Sequence, residues 1–220
     1  MMEFSPKLAS HSSKITSNEK LFSRIQELFK QIDRLDLLPE QHRLLEKIYR
    51  DYTRAGASLN DKSKERMKDI KKRLSILGTQ FSQNLLADES SWYLELDLED
   101  QAVLPDFLIA AARQAADEKG VEKPIITLSR SIITPFLKFS PNRELRKQAH
   151  QAWVSRGMQK EETDNRPIAR ETLTLRRQMA DLLGYKNFAE FKLETEMAKK
   201  PETVEELLMQ VWKCSKAQAR

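Results

Sequence analysis

Apolar residues recur along most of this chain at steps of three and four, the spacing that lays one stripe along a helix. Leu21, Ile25, Leu28, Ile32 and Leu35 make the first stripe, widened by Phe22 and Phe29, with Ser17 or Asn18 placed to cap it. Pro39 suits the first turn of a second helix carrying Leu45, Ile48, Tyr52 and Ala55, and Gly56 is a natural stop. Asn60 or Asp61 caps a third helix reaching about Ala87, with Met67, Ile70, Leu74, Leu77 and Phe81 inward. Gly78 within it is the place where a neighbouring helix is expected to cross closely. The short connections predict antiparallel neighbours.

The period then changes to two. Trp92, Leu94, Leu96 and Leu98 alternate with Tyr93, Glu95, Asp97 and Glu99, the mark of a half-buried strand. A helix from about Pro105 to Lys119 ends at Gly120, and Pro124–Leu128 reads as a second strand. Two strands alone are marginal in water, so this pair must pack on helices; its direction is left open.

Helical spacing returns afterwards. Ser129–Phe139 is a short helix containing Pro135, and Ser140 and Pro141 open another that Gly157 closes. After a polar loop at Met158–Thr163, Thr163 or Asp164 caps a long helix through Leu183, with Ile168, Thr172, Leu175, Met179 and Leu182 as its stripe. Gly184 stops it, and Asn187–Ala198 forms one more. The last helix starts at Pro201 and carries Val204, Leu207, Leu208, Val211 and Trp212. It meets no stop signal before Arg220, as expected of a chain cut from something longer. The plan is mainly α: an extended arm over 1–16, then a helical region over 17–220. That region divides into helices over 17–87, a small two-stranded α/β insert around 91–128, and helices over 129–220.

Composition agrees: 220 residues, 40% hydrophobic, 32% charged and only five glycines describe a helix-leaning globular chain. The net charge of +5 raises the question of nucleic acid. Most of the excess lies in Lys62–Arg73, where the charges surround a buried stripe and no aromatic side chains interleave as stacking platforms. A solvated helix face is the reading, with no nucleic-acid partner. The longest apolar run, Phe107–Ala112, is too short to span a membrane. The first twenty residues hold no apolar signal segment, and the single cysteine, Cys214, fits a reducing compartment. Cytoplasm is the expectation.

Candidate chemistry is thin. The histidines, His11, His42 and His150, lie outside any H-E-x-x-H pattern, which would set two imidazoles one turn apart on one metal. His42 and Glu46 lie four apart on a predicted helix, but two ligands make a poor site and an exposed pair is expected. His150, three residues before Trp153, reads as partly buried packing. Cys214 falls near the apolar side of the last helix and reads as a buried, inert thiol. No phosphate-binding glycine pattern or nucleophile elbow occurs. No residue is singled out as catalytic, and none as a metal ligand.

Longer runs carry a resemblance. "SPKLASHSSKITSNEKLFSRI", "LLEKIYRDYTRAGASL" and "RLSILGTQFSQNLL", then "AWVSRG" and "DNRPIARETLTLRRQMADLLGYKNFAEFKLETEMAKKPETV", resemble the N-terminal region of the thimet oligopeptidase and peptidyl-dipeptidase Dcp family. The pairing of "SRG" with "DNRPI" favours the Dcp branch over the oligopeptidase A branch. The resemblance implies the neurolysin-like, thimet oligopeptidase fold: two largely helical halves around a deep channel, hydrolysing short peptides with zinc. The zinc-binding motif belongs to the later half of that longer polypeptide, so no metal ligand or catalytic glutamate transfers to any position here. The implied role is one wall of the channel, inactive alone and binding no zinc itself, with the C-terminal catalytic half as partner. The alternatives are half of a two-chain peptidase working in trans, or a helical peptide- or protein-binding module without catalysis. Downstream DNA separates them: an in-frame H-E-x-x-H marks an expressed piece, and a stop codon before that motif an interrupted gene.

Overall fold

The computed structural model describes His11, Ile15, Thr16 and residues 18–218. The arm expected over 1–16 lies mostly outside the described residues; within it, His11, Ile15 and Thr16 have helical backbone. The described chain divides into two compact units, one of residues up to Lys72 and from Thr174 onward, the other Arg73–Leu173.

In the first unit α1 (Glu19–Lys30) starts at Asn18, whose side chain accepts a hydrogen bond from the Leu21 amide at 3.0 Å. Its inward face differs from the leucine stripe. Phe22 is buried, while Leu21 and Leu28 are exposed. The aromatics select the face, because Phe29 stacks on Tyr49 at 3.9 Å and Phe22 on Tyr52 at 6.1 Å, both on α2 (Pro39–Ala55). A short 3-10 turn, Ile32–Arg34, replaces the expected continuation of α1. Gly56, at φ 97°, ends α2 in the left-handed region that glycine tolerates best.

Asn60 accepts from the Ser63 amide at 2.9 Å and opens α3 (Asp61–Ser91), about one turn longer than expected. Met67 and Ile70 are buried in the first unit; Leu77, in the second, is also buried, whereas Phe81 is exposed. Gly78 disagrees with its expected role: among the described residues a methyl group there would meet nothing within 4 Å, so none of their helices crosses closely at it.

The second unit holds a hydrophobic core cluster built on a short sheet. β1 (Tyr93–Glu95) pairs antiparallel with β2 (Ile125–Thr127), with Leu94 opposite Ile126. Trp92, Leu94 and Leu96 do point inward, but Leu98 is 82% exposed because the chain turns helical as α4 (Leu98–Ala102). Glu99 and Asp100 lie in that helix's first turn, where negative charge is favoured, and this ends the strand early. α5 (Asp106–Lys119), closed by Gly120, and α6 (Arg130–Phe139) cover the pair. Leu108, Ile125, Ile126, Leu128, Ile133 and Phe136 are essentially inaccessible, so this small sheet is stable because helices bury one side of it.

Ser140 does not cap the following helix. It ends α6, its amide donating to the Phe136 carbonyl, and Asn142 caps α7 (Arg143–Val154) by accepting from the Leu145 amide. α8 (Arg166–Leu182) begins where Asp164 accepts from the Arg166 amide at 2.9 Å, and its residues from Thr174 belong to the first unit. α9 (Phe188–Leu193) is shorter than the expected Asn187–Ala198, with turns following it. α10 (Pro201–Gln218) completes the described chain.

Candidate functional site

Among the described residues, three arrangements bring chemistry-bearing side chains together, and none of the three matches a catalytic constellation. The first is a cleft of about 650 Å³ in the first unit, with Phe22 and Met67 on its apolar side and Lys64, Lys68 and Lys71 from α3 along its rim. Lys64 is paired with Glu19 at 2.6 Å, and the Lys71 ammonium donates to the Ala55 carbonyl at 2.9 Å. Burial pushes the Lys71 ammonium below the usual lysine range. Elsewhere in the basic run, Arg73 is held by both carboxylate oxygens of Glu171, at 2.6 and 2.8 Å, and Arg66 bonds Gln178. Much of the charge excess is thus tied down locally.

The second, also in the first unit, joins α2 to the turn after α8 and to α9. The Arg54 guanidinium bonds Glu194, lies 4.0 Å above the Phe191 ring, and reaches Tyr185, whose hydroxyl donates to Glu194 at 2.6 Å. Arg50 stands close enough to act on Glu194 electrostatically, and its buried Nε has no hydrogen-bond partner among the described residues. Burial alone would raise the Glu194 carboxyl, but hydrogen bonds from Tyr185 and Arg54 and the charges of Arg54 and Arg50 win, and it is lowered. Tyr185 is raised, first by burial and then by Glu194.

These directions set a pH window. A lowered Glu194 contributes stability above its ordinary value of 4.5, lost as pH falls through the folded value. A raised Tyr185 contributes stability below its ordinary value of 10.0, lost as pH rises through the folded value. Thermal unfolding across pH should therefore weaken at both ends; Glu194→Gln should flatten the acid arm and Tyr185→Phe the alkaline one. Unchanged arms in both variants would show that the cluster contributes nothing.

The third, in the second unit, is built on Asp88, whose side chain is wholly buried near the end of α3. One carboxylate oxygen accepts from the Gly157 amide at 2.7 Å and the other from the Thr163 hydroxyl at 2.7 Å. Asn165 reinforces the same loop: its amide donates to the Gly157 carbonyl at 2.7 Å and its side chain to the Phe81 carbonyl at 3.0 Å. Arg156, bonded to Glu89, lies 3.7 Å over the Trp153 ring. This is a loop clamp. Its signal in the sequence is the polar pair Asn84 and Asp88 continuing the inward line of α3 beyond Leu77, which hydrophobic periodicity alone passes over.

Among the described residues, no group of three or more His, Cys, Asp or Glu could hold a metal ion. His42 and Glu46 are the half-exposed helical pair that their spacing implies, 3.7 Å apart. His150 is exposed rather than partly buried, because Ala149 and Ala152 are the inward positions of α7. Cys214 is likewise exposed rather than buried. The reason is that the apolar side of α10 is itself uncovered in this chain, with Leu207, Leu208, Val211 and Trp212 each more than half exposed. Among the described residues no helix is long and apolar enough to cross a membrane.

Comparison with known proteins adds what the geometry lacks. Residues 136–220 match the model of Peptidase family M3. The chain is 30% identical over 208 residues to oligopeptidase A of Haemophilus influenzae, covering 92% of this chain and 30% of that protein. It is 29% identical over 218 residues to oligopeptidase A of Escherichia coli, covering 97% of this chain and 32% of that protein. Against the dipeptidyl carboxypeptidase of Escherichia coli it is 33% identical over 202 residues, covering 91% of this chain and 30% of that protein. The chain thus spans about 30% of the length of the curated relatives it matches.

Proposed function

We propose that this chain, whose residues 136–220 match the model of Peptidase family M3, belongs to that family and forms a helical, non-catalytic wall of a zinc peptidase channel for short peptides. The observation that carries this reading is a match over nine-tenths of the chain to peptidases about three times longer, without an H-E-x-x-H motif in these 220 residues. In such an enzyme the zinc polarises the scissile carbonyl and activates water. Among the described residues no group of three or more His, Cys, Asp or Glu fits that ion, and we assign no step of the hydrolysis to them. Their part is exclusion: rigid helices around a cleft admit a flexible peptide and turn away a folded protein.

The uncovered apolar side of α10 supports the same reading. A contiguous face carrying Leu207, Leu208, Val211 and Trp212 is of the kind that another polypeptide covers, and the remaining two-thirds of an M3 peptidase is the occupant we assign to it. The Dcp branch is favoured within the family by the runs "SRG" and "DNRPI" in the sequence. We place the enzyme in the cytoplasm.

The test is direct. The purified chain, dialysed after zinc loading, should hold no stoichiometric metal and should not cleave a dipeptide-releasing substrate. Adding a separately expressed M3 segment that bears H-E-x-x-H should produce a complex in which Trp212 fluorescence shifts. Cleavage by the chain alone, or tightly retained zinc, would overturn the proposal, as would failure of the two segments to associate.

A further inference from the structure

The lysine cleft of the first unit has features that a channel wall does not require. Its floor is apolar, with Phe22 and Met67 almost fully buried, while its rim carries Lys64, Lys68 and Lys71 at positions i, i+4 and i+7 of α3. Helical spacing sets these three amines on one side of the helix. Against them stand two carboxylates, Glu19 and Glu65, so one cation of the lining is uncompensated. Glu19 is committed to Lys64, and Lys68 has no ion pair among the described residues.

Lys71 differs from its neighbours. Its ammonium donates to a neutral acceptor, the Ala55 carbonyl near the end of α2, and no carboxylate among the described residues pairs with it. The residue as a whole remains exposed, so a small molecule reaches it from solvent. An amine with an open approach, an apolar floor beside it and an anion-attracting lysine one turn away is arranged to react with a carbonyl compound that carries a negative group. We propose that this cleft binds small anionic aldehydes and that Lys71 is the amine that captures them as an imine.

The chemistry balances without a further reactant. The neutral Lys71 amine adds its lone pair to the carbonyl carbon, forming a carbinolamine; water then leaves as the C=N bond forms. The proton released from the ammonium passes to solvent. Burial, by favouring the neutral amine, enlarges the fraction of Lys71 able to attack at neutral pH. Lys68 supplies the positive charge that holds the anionic group, and Phe22 and Met67 receive the apolar body.

Pyridoxal 5′-phosphate is a suitable probe, since it joins an aromatic aldehyde to a phosphate. The full chain would be treated at neutral pH with about one equivalent of the aldehyde, reduced with borohydride to fix the imine, and mapped by peptide mass spectrometry. Most of the incorporated label is expected on Lys71. Lys71→Arg should abolish that label while leaving the circular dichroism unchanged. Lys68→Gln should slow labelling by the phosphorylated aldehyde about three-fold, in keeping with one exposed charge pair. The same variant should leave labelling by unphosphorylated pyridoxal unchanged. Label spread evenly over surface lysines such as Lys62, or absent from Lys71 in the folded wild-type chain, would overturn the proposal. So would equal slowing with both aldehydes, since the cleft would then have no anion preference.

Discussion

Asp88→Ala is expected to destabilise the second unit by about 3 kcal/mol or more, which urea unfolding would register as a clear fall in midpoint. The carboxylate is wholly buried and accepts from the Gly157 amide, the Thr163 hydroxyl and, at 3.4 Å, the Gln159 amide. Alanine removes every acceptor at once and leaves these donors without their partner at a buried position. A buried donor without a partner costs roughly 1–3 kcal/mol, and at least two are stranded. The Gly157 amide should also lose its protection against hydrogen exchange, because its partner is gone while the rest of the core persists. Asp88→Asn keeps one carbonyl oxygen and should fall between the wild type and alanine. A loss below about 0.5 kcal/mol for alanine, the range of an ordinary surface change, would mean the loop is held without the clamp.

Phe136→Ala should cost about 3–5 kcal/mol, the range for emptying a large aromatic from a closed core. Phe136 is fully inaccessible and belongs to the cluster that includes Leu108, Ile126 and Ile133. The control is three residues away on the same helix. Phe139 is 41% exposed and meets Phe107 edge-on at 6.0 Å, so Phe139→Ala should cost only about 1 kcal/mol. Equal losses at the two positions would show that α6 does not present the face described here. Both variants are best compared by the same denaturant titration, since the contrast is more secure than either absolute figure.

Local patterning located most of the elements. The stops at Gly56, Gly120 and Gly184 stand where the backbone has positive φ, because left-handed conformation is a property of the residue itself. The two strands near 93–95 and 125–127 were legible, the first from a period of two, but their antiparallel direction was not. Errors clustered where two neighbouring residues compete for one role. Asn142 rather than Ser140 caps α7, and Phe22 rather than Leu21 faces inward on α1. His150 lost its inward place to Ala149. In each case the winner is set by what lies across the interface, a partner the one-dimensional pattern does not contain.

The candidate sites were less legible than the fold. Arg54 and Glu194 are 140 positions apart, and Asp88 and Thr163 are 75 apart, so no spacing along the chain announces either cluster. The lysine run was visible as charge alone. That Lys71 meets a carbonyl instead of a carboxylate became apparent only once the end of α2 was seen beside it.

What the sequence determined by itself is the helical character, the two short strands, the family resemblance and the lack of an H-E-x-x-H motif. These follow from residue type and short-range spacing, which act on the backbone before any distant contact forms. Which side chains share a site, and which apolar face stays uncovered, was decided by the tertiary structure alone. Burial and hydrogen bonding depend on groups brought together from far along the chain, and that assembly has no local code.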